Sequence, residues 1–216
     1  MLFYTMKQVG GIDLMSISKI IRLATEDDCV SLLEVYEEFI SNTAVTFEVE
    51  VPSVSEFGKR ITKVLEKHPW LVCEINREIV GYAYASKHRE RAAYQWSVDV
   101  TVYINPKYHR MHIATALYTT LIGLLKEQGY YSAYAGVALP NIKSEGFHEY
   151  FGFKSVEVFH NVGYKFDEWR DVKWFELTIL EHTKNPTVPK TINEIKDTQE
   201  FKDIINNAIQ IINHLS

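Results

Sequence analysis

The sequence predicts a single α+β domain in which helices and strands mix around one sheet. The chain has 216 residues and 46% hydrophobic content, enough for one sizeable core. Apolar residues recur with helical spacing in some segments and with alternating spacing in others, in the order β-α-α-β-β-β-α-β-α-β-β. The two cysteines, Cys29 and Cys73, fall in a helical and a strand pattern, so we expect buried thiols and no disulfide framework.

The first half contains a strand, two helices and a hairpin. A strand over residues 20–24 precedes Thr25, which is placed as a helix N-cap with Asp28 as its capping-box partner. After this helix and an irregular stretch over residues 43–51, Ser53 caps a second amphipathic helix. Residues 71–75 and 79–85 alternate around a short turn and predict a β-hairpin.

The second half continues with a long strand over residues 96–104, after a basic connection at residues 87–91. An amphipathic helix opens near His112 and ends at Gly129. A strand at 131–137, a short helix at 144–150 and strands at 153–159 and about 172–180 complete the predicted sheet.

Three parts are expected along the chain: a flexible leader at residues 1–16, the domain at 17–182, and a C-terminal helical extension at 183–216. The leader lacks the basic, apolar and small-residue progression of a signal peptide and is too short to span a bilayer. The extension carries an apolar stripe between Phe201 and Ile212. This stripe predicts either packing on the domain or a dimer contact.

Charge and composition exclude several classes of partner. The net charge is −5 and the pI about 5.9, so no basic surface for nucleic acid or a membrane is expected. The low cysteine content favours the reducing cytoplasm. His109 and His112 stand three residues apart, as metal ligands on a helix can, but no third ligand has matching spacing. We therefore expect no metal.

The stretch after the long strand predicts an anion site. The strand ends at Ile104, and a turn leads into a helix near His112. The first backbone N–H groups of a helix have no partner within it, and the helix dipole is positive there. Arg110 adds a fixed cation, so this segment suits a phosphate group.

From about residue 21 to 180, the chain resembles GNAT-superfamily acetyltransferases, and within them the phosphinothricin/methionine sulfoximine acetyltransferase group. The superfamily's pyrophosphate loop, Gln/Arg-x-x-Gly-x-Gly/Ala, aligns with residues 109–114, where His112 replaces the central glycine. The resemblance implies a mixed, largely antiparallel central sheet flanked by helices, with splayed strands at an acetyl-CoA site. The implied acetyl-CoA contacts are Val102, Tyr103, Ile104, His109, Arg110, Met111, His112, Ile113, Ala114, Thr115 and Asn141.

The group's motif Tyr-x-Trp-x-x-Glu-x-x-Val-Tyr aligns with the segment from Tyr94 to Tyr103. Asp99 stands at the position of the glutamate, so the resemblance gives it the role of general base with a side chain one methylene shorter. His148 stands where the superfamily places the residue that serves the leaving thiolate. The implied substrate contacts are Phe47, Arg89, Arg91 and Tyr94.

The resemblance therefore implies an enzyme that transfers an acetyl group from acetyl-CoA to the primary amine of a small amino-acid-like substrate, by direct attack in a ternary complex. A homodimer in the cytoplasm is expected, with no nucleic acid or membrane partner. Two alternatives remain: a non-catalytic acyl-CoA-binding domain, which the replaced glycine suggests, and an acetyltransferase for a polyamine or a protein N-terminus.

Overall fold

The computed structural model describes residues 18–214, and seven strands in this part of the chain form one sheet. The predicted leader at residues 1–16 lies outside the described residues. The strands are β1 (Lys19–Leu23), β2 (Trp70–Ile75), β3 (Glu78–Lys87), β4 (Ser97–Ile104), β5 (Ser132–Ala138), β6 (Lys154–Lys165) and β7 (Glu168–Thr178). Their order across the sheet is β1-β2-β3-β4-β5-β7-β6.

Six α-helices accompany the sheet within the described residues: α1 (Cys29–Asn42), α2 (Val54–Leu65), α3 (Ile113–Gln128), α4 (Ile142–Tyr150), α5 (Ile192–Ile195) and α6 (Gln199–His214). The caps read from the sequence have the expected geometry. The Ser53 side chain accepts a hydrogen bond from the Glu56 backbone N–H at the start of α2. Thr25 and Asp28 form a capping box, which opens a 3₁₀ turn directly before α1.

The sheet divides between β4 and β5, which form its only parallel pair among the described strands. Their register covers Ser97↔Ser132, Val98↔Ala133 and Asp99↔Tyr134, and then stops. Beyond Asp99, β4 remains paired with β3 alone, and beyond Tyr134, β5 remains paired with β7 alone. The strands therefore splay, and the expected mixed, largely antiparallel sheet is confirmed.

Two apolar clusters cover the two faces of the sheet. One lies under α3 and includes Val98 and Val100 of β4. The other lies under α1 and α2 and includes Tyr103, which packs on Tyr36 and Tyr82. Because side chains alternate along a strand, β4 contributes to both clusters and carries Asp99 on the α1–α2 side.

The last two strands are longer than predicted and form a tight hairpin. Their turn places Phe166 and Asp167 at φ values of 54° and 57°, a left-handed conformation in which glycine or asparagine is more common. The sequence therefore lacks the usual turn signal between residues 165 and 168. Irregular register near Ser155 and again between Phe159 and Gly163 also hides the alternation of β6.

The extension packs on the chain's own domain. Helix α6 lies against α3 and β1, and Ile204 contacts the α3 surface at Gly123. Four apolar side chains of the extension are buried in the core cluster under α3. Two belong to α5 and two to α6: Ile192, Ile195, Ala208 and Ile212. Of the two expectations for this stripe, the structure therefore shows packing on the domain.

Candidate active site

A cavity of about 460 Å³ lies where β4 and β5 diverge; we call it the splay cavity. Every residue that the sequence analysis assigned to acetyl-CoA lines this cavity, except Met111. Met111 packs against the core under α3 and is not part of the cavity lining, so its contact with acetyl-CoA stays a prediction. The lining residues are Phe39, Val45, Val102, Tyr103, Ile104, Tyr108, His109, Arg110, His112, Ile113, Ala114, Thr115, Asn141, Lys143, Ser144 and Phe147.

Backbone N–H groups supply one polar part of the splay cavity, beside side chains such as those of Arg110, Asn141 and Lys143. The first hydrogen bond of α3 runs from the Ala116 N–H to the His112 carbonyl, so the N–H groups of Ile113, Ala114 and Thr115 have no acceptor within the helix. The side chain of His109 fixes the preceding turn through a 3.1 Å hydrogen bond between Nε2 and the Ile104 carbonyl. This geometry suits a diphosphate, because the residues that carry these N–H groups line the cavity at the positive end of the helix dipole.

His112 occupies the N-cap of α3 with φ 56° and ψ 13°. This left-handed conformation is the one that glycine adopts most readily, although histidine adopts it more often than most residues. Arg110 is left-handed too, with φ 65°. The backbone path of the turn therefore persists without glycine, and the cost is local strain of the order of 1–2 kcal/mol.

Asn141 forms the opposite wall of the splay cavity, at the N-cap of α4. Its Oδ1 accepts a hydrogen bond of 3.1 Å from the Ser144 N–H, which leaves the Nδ2 amide as the group able to contact a bound molecule. Lys143, Ser144 and Phe147 complete this wall and were not predicted. Their spacing in α4 carries no signal that distinguishes a cavity wall from an ordinary helix surface.

The structure places His148 in the core, where it is 5% exposed. Its Nδ1 lies 2.7 Å from the Ser144 carbonyl and must therefore donate, while Nε2 lies 3.0 Å from the Tyr118 hydroxyl. Burial lowers the pKa of His148, and the hydrogen bond to the Ser144 carbonyl opposes this effect. In this geometry both ring nitrogens of His148 have hydrogen-bond partners, and the residue does not line the splay cavity. Its role at the leaving thiolate stays a prediction.

Asp99 lies at the fork between the diverging strands, since it is the last residue of β4 that pairs with β5. Its side chain is 29% exposed. Burial raises the pKa of Asp99, and the neighbouring His88 and Arg89 oppose this effect. The Nδ1 atom of His88 lies 2.6 Å from Asp99 Oδ1, a contact that the sequence analysis missed because His88 belongs to a basic, apparently exposed connection.

A second cavity, of about 410 Å³, adjoins this region; we call it the aromatic cavity. It contains Phe47 and Arg89 from the predicted substrate contacts. Val45 lines both cavities, so the two adjoin at this side chain. The remaining lining residues were not predicted and are Gly136, Ala138, Phe159, Val162, Val172 and Trp174.

The other two predicted substrate contacts lie elsewhere. Arg91 is exposed and lines neither cavity, so its contact with substrate stays a prediction. Tyr94 also lies outside both cavities, and its ring centroid is 6.0 Å from that of His88. Arg91 caps a 3₁₀ turn that ends at Tyr94. The sequence motif does not specify towards which cavity the side chains of such a turn project.

Lys165 fixes the loop that carries Phe47. Its Nζ is buried and donates to the carbonyls of Ile40 and Thr46, at 2.7 and 2.9 Å. These bonds join the end of α1 to the β6–β7 hairpin, and Lys165 lines neither cavity. Phe47 then packs on the bare backbone of Gly163, where any Cβ atom would overlap its ring.

Neither a metal centre nor a membrane segment is found in the described part of the chain. Residues 18–214 contain no group of three or more His, Cys, Asp or Glu residues that could hold a metal ion. No helix in that range combines the length and apolar character needed to cross a bilayer.

The sequence profile of the acetyltransferase (GNAT) domain matches residues 21–174, which include β2 to β6, both cavities and Asp99. The chain belongs to the GNAT acetyltransferase family. A phosphinothricin N-acetyltransferase of Streptomyces viridochromogenes is 31% identical over 156 residues, which cover 72% of this chain and 85% of that protein. An L-methionine sulfoximine/L-methionine sulfone acetyltransferase of Salmonella typhimurium is 27% identical and covers 75% and 95% of the two chains.

Solved structures agree with this membership. The crystal structure of a GNAT superfamily phosphinothricin acetyltransferase from Sinorhizobium meliloti, in complex with acetyl-CoA, superposes with a TM-score of 0.75 at 28% identity. The match covers 80% of this chain and 94% of the other. This GNAT acetyltransferase is thus an acetyl-CoA-dependent N-acetyltransferase, and the free N–H groups in its splay cavity fit the cofactor's diphosphate.

Proposed function

We propose that this N-acetyltransferase acetylates the α-amine of a small amino acid by direct attack in a ternary complex. The observation that carries the proposal is the junction of the two cavities at Val45. Asp99 lines neither cavity; it lies at the fork between β4 and β5 and contacts His88, which precedes Arg89 of the aromatic cavity. A donor in the splay cavity and an amine in the aromatic cavity would meet at this junction. Holding the two reactants side by side makes the attack effectively unimolecular and so lowers the entropic part of its barrier.

The residues that would hold acetyl-CoA are those of the splay cavity. The N–H groups of Ile113, Ala114 and Thr115, with the Arg110 guanidinium, would bind the diphosphate. The edge of β4 beyond Asp99 has no strand partner on the β5 side and, with Asn141 Nδ2, would hold the pantetheine arm. When bound, acetyl-CoA supplies the thioester carbonyl carbon that the amine attacks.

Asp99 would accept the proton of the attacking amine. An amine with a bound proton has no free electron pair, so a base must remove that proton. No described residue hydrogen-bonds to Asp99 Oδ2, which leaves this oxygen available. Burial raises the pKa of Asp99 and so makes it a stronger base than an exposed aspartate.

The two cysteines do not suit a covalent acyl-enzyme route. Burial raises the pKa of Cys73 to about 12, and burial also raises the pKa of Cys29. Because the thiolate is the nucleophilic form, both thiols are unreactive near neutral pH. Neither lines the splay or the aromatic cavity. This favours direct attack by the amine.

The aromatic cavity favours an acceptor with one carboxylate and an uncharged side chain. Arg89 is the one charged residue in its lining, and the other lining residues are apolar. An arginine suits a carboxylate, and it disfavours a polyamine, because like charges repel. A phosphinate side chain, as in phosphinothricin, would bring a second negative charge without a second cation. We therefore place methionine sulfoximine, methionine sulfone and methionine ahead of phosphinothricin.

We also propose that the protein is a cytoplasmic homodimer. The outer strand β6 and its hairpin with β7 expose apolar side chains, among them Val156, Tyr164, Phe166 and Trp169. An exposed apolar edge strand favours association with a second chain. Light scattering at micromolar concentration tests this proposal, and a monomer at every concentration would contradict it.

An amine panel tests the proposed reaction. CoA thiol release is measured with methionine sulfoximine, methionine sulfone, methionine, phosphinothricin and spermidine, and acetyl-CoA binding is measured in parallel by calorimetry. We expect turnover with the three amino acids whose side chains are uncharged, and slower turnover with phosphinothricin. Intact acetyl-CoA binding without turnover of any amine would instead identify a non-catalytic domain.

The Asp99→Asn variant tests the base. Asparagine keeps the size of the side chain but cannot accept the amine proton. We expect kcat to fall roughly 10²-fold or more, with the affinity for acetyl-CoA unchanged. Near-normal kcat would remove Asp99 from the mechanism.

A further inference from the structure

His88 is the first residue after β3, and its ring contacts the carboxylate of Asp99. The 2.6 Å contact joins Nδ1 of His88 to Oδ1 of Asp99, and the two side chains are 13% and 29% exposed. Across β3 and β4, Ser86 pairs with Asp99, so His88 lies just beyond the strand and reaches back to the carboxylate. This contact is buried more deeply than most ion pairs of the described surface.

Aromatic neighbours hold the ring of His88 in place. It stacks on Tyr134, with centroids 4.4 Å apart and planes 19° from parallel. Trp174 and Tyr94 lie at its edges, with centroids 6.4 and 6.0 Å away. Tyr134 is the β5 residue in register with Asp99, so the ring is fixed at the fork where the strands part.

The protonation states follow from the partners. An ionised carboxylate can only accept hydrogen bonds, so Nδ1 of His88 carries the proton and donates it to Oδ1. We propose, on the basis of the function proposed above, that His88 is a positioning residue that holds the Asp99 carboxylate so that Oδ2 faces the acceptor amine. A carboxylate held by one strong bond keeps its second oxygen oriented without reorganisation during the reaction.

The proposal has an electrostatic consequence. The titratable and charged groups near Asp99 are His88, Arg89, Tyr84 of β3 and Tyr134 of β5. Burial raises the pKa of Asp99, whereas the bond from His88 lowers it. Loss of this bond should therefore raise the pKa of Asp99 further. Since the ionised form is the base, the acid limb of the kcat/KM profile should move to higher pH.

Three substitutions separate positioning from simple packing. His88→Phe keeps an aromatic ring on Tyr134 and removes the donor. His88→Asn places an amide N–H near the position of Nδ1, and His88→Gln places one near the position of Nε2. Because a hydrogen bond to a charged group is strong, we expect His88→Phe to lower kcat roughly 10- to 100-fold, with KM for acetyl-CoA unchanged. His88→Asn should recover most of this loss, and His88→Gln should not.

The pH profiles and a spectroscopic measurement complete the test. The acid limb should move to higher pH in His88→Phe and return towards the wild-type position in His88→Asn. In the wild-type protein without ligands, ¹⁵N shifts of His88 should show a proton on Nδ1 while Asp99 is ionised. Thermal unfolding of each variant reports whether the fold is intact.

Three results would overturn the proposal. The first is a wild-type kcat and an unmoved acid limb in folded His88→Phe. The second is a proton on Nε2 alone in the ¹⁵N spectrum. The third is complete inactivity of folded His88→Asn, which would make the imidazole itself the proton acceptor. If Asp99→Asn is inactive while His88→Phe is fully active, only this inference fails. If Asp99→Asn is also fully active, the proposed function of the carboxylate fails with it.

Discussion

The splay cavity takes most of its lining from one continuous stretch of chain, residues 102–115, whereas the aromatic cavity is made of side chains that are far apart in sequence. The turn and first helical turn between Ile104 and Thr115 supply the N–H groups of the former. The latter combines the α1–α2 loop, the β3–β4 connection, β5 and the β6–β7 hairpin.

This difference determines how each cavity responds to substitution. A site made of backbone N–H groups tolerates a change of side chain, as His112 in a glycine conformation shows. A site made of packed side chains depends on each contact, as Phe47 against Gly163 shows. Substitutions in the aromatic cavity should therefore change acceptor kinetics strongly, and substitutions in the turn between Ile104 and Ile113 should change acetyl-CoA binding weakly.

The largest effect in this comparison is expected for Arg89→Gln. The change removes the one cation of the aromatic cavity, so KM for the acceptor should rise roughly 10- to 100-fold, since charged hydrogen bonds are among the strong ones. Steady-state kinetics with the acceptor as the varied substrate measure it. Arg91→Gln is the matched control, because Arg91 is exposed and lines neither cavity. Equal effects of the two variants would contradict the assignment of Arg89.

A smaller effect is expected for Gly163→Ala. The new Cβ atom would overlap the Phe47 ring, which must move. We expect KM for the acceptor to rise about tenfold, with KM for acetyl-CoA unchanged, because an over-packed contact displaces its neighbours. Gly146→Ala in α4 is the control, since nothing lies within 4 Å of a Cβ atom there.

A double variant checks the cause of this effect. In a Phe47→Ala background, Gly163→Ala should bring no further rise in KM, because the overlapping ring is gone. An additive effect of the two substitutions would show that Gly163 acts through something other than Phe47.

The smallest effect is expected for His112→Gly. Glycine relieves the left-handed strain of about 1–2 kcal/mol but gives the unfolded chain more freedom, so the two changes in unfolding free energy partly cancel. We expect the Kd for acetyl-CoA to stay equal or decrease, as measured by calorimetry. A large loss of affinity would show that the imidazole itself contacts phosphate, and His112→Ala would then share that loss.

The same comparison explains what the sequence could predict. The strand, turn and helix of the splay cavity follow from local signals, so nearly all of the residues assigned to acetyl-CoA line it. His148 shows the limit, because a motif position does not reveal whether a ring faces a cavity or the core. His88 was missed because its partner is 11 residues away across a hairpin, a distance at which sequence pattern carries no contact information.

The buried face of the extension has a consequence for how short this protein can be made. Full burial of an isoleucine side chain contributes about 1.5–3 kcal/mol, so Ile192, Ile195 and Ile212 together contribute up to roughly 9 kcal/mol. The net stability of a whole domain is about 5–15 kcal/mol. A protein shortened to the part that matches the family profile would therefore expose the apolar surface under α5 and α6, aggregate and be cut readily by proteases. An expressed chain should include α6.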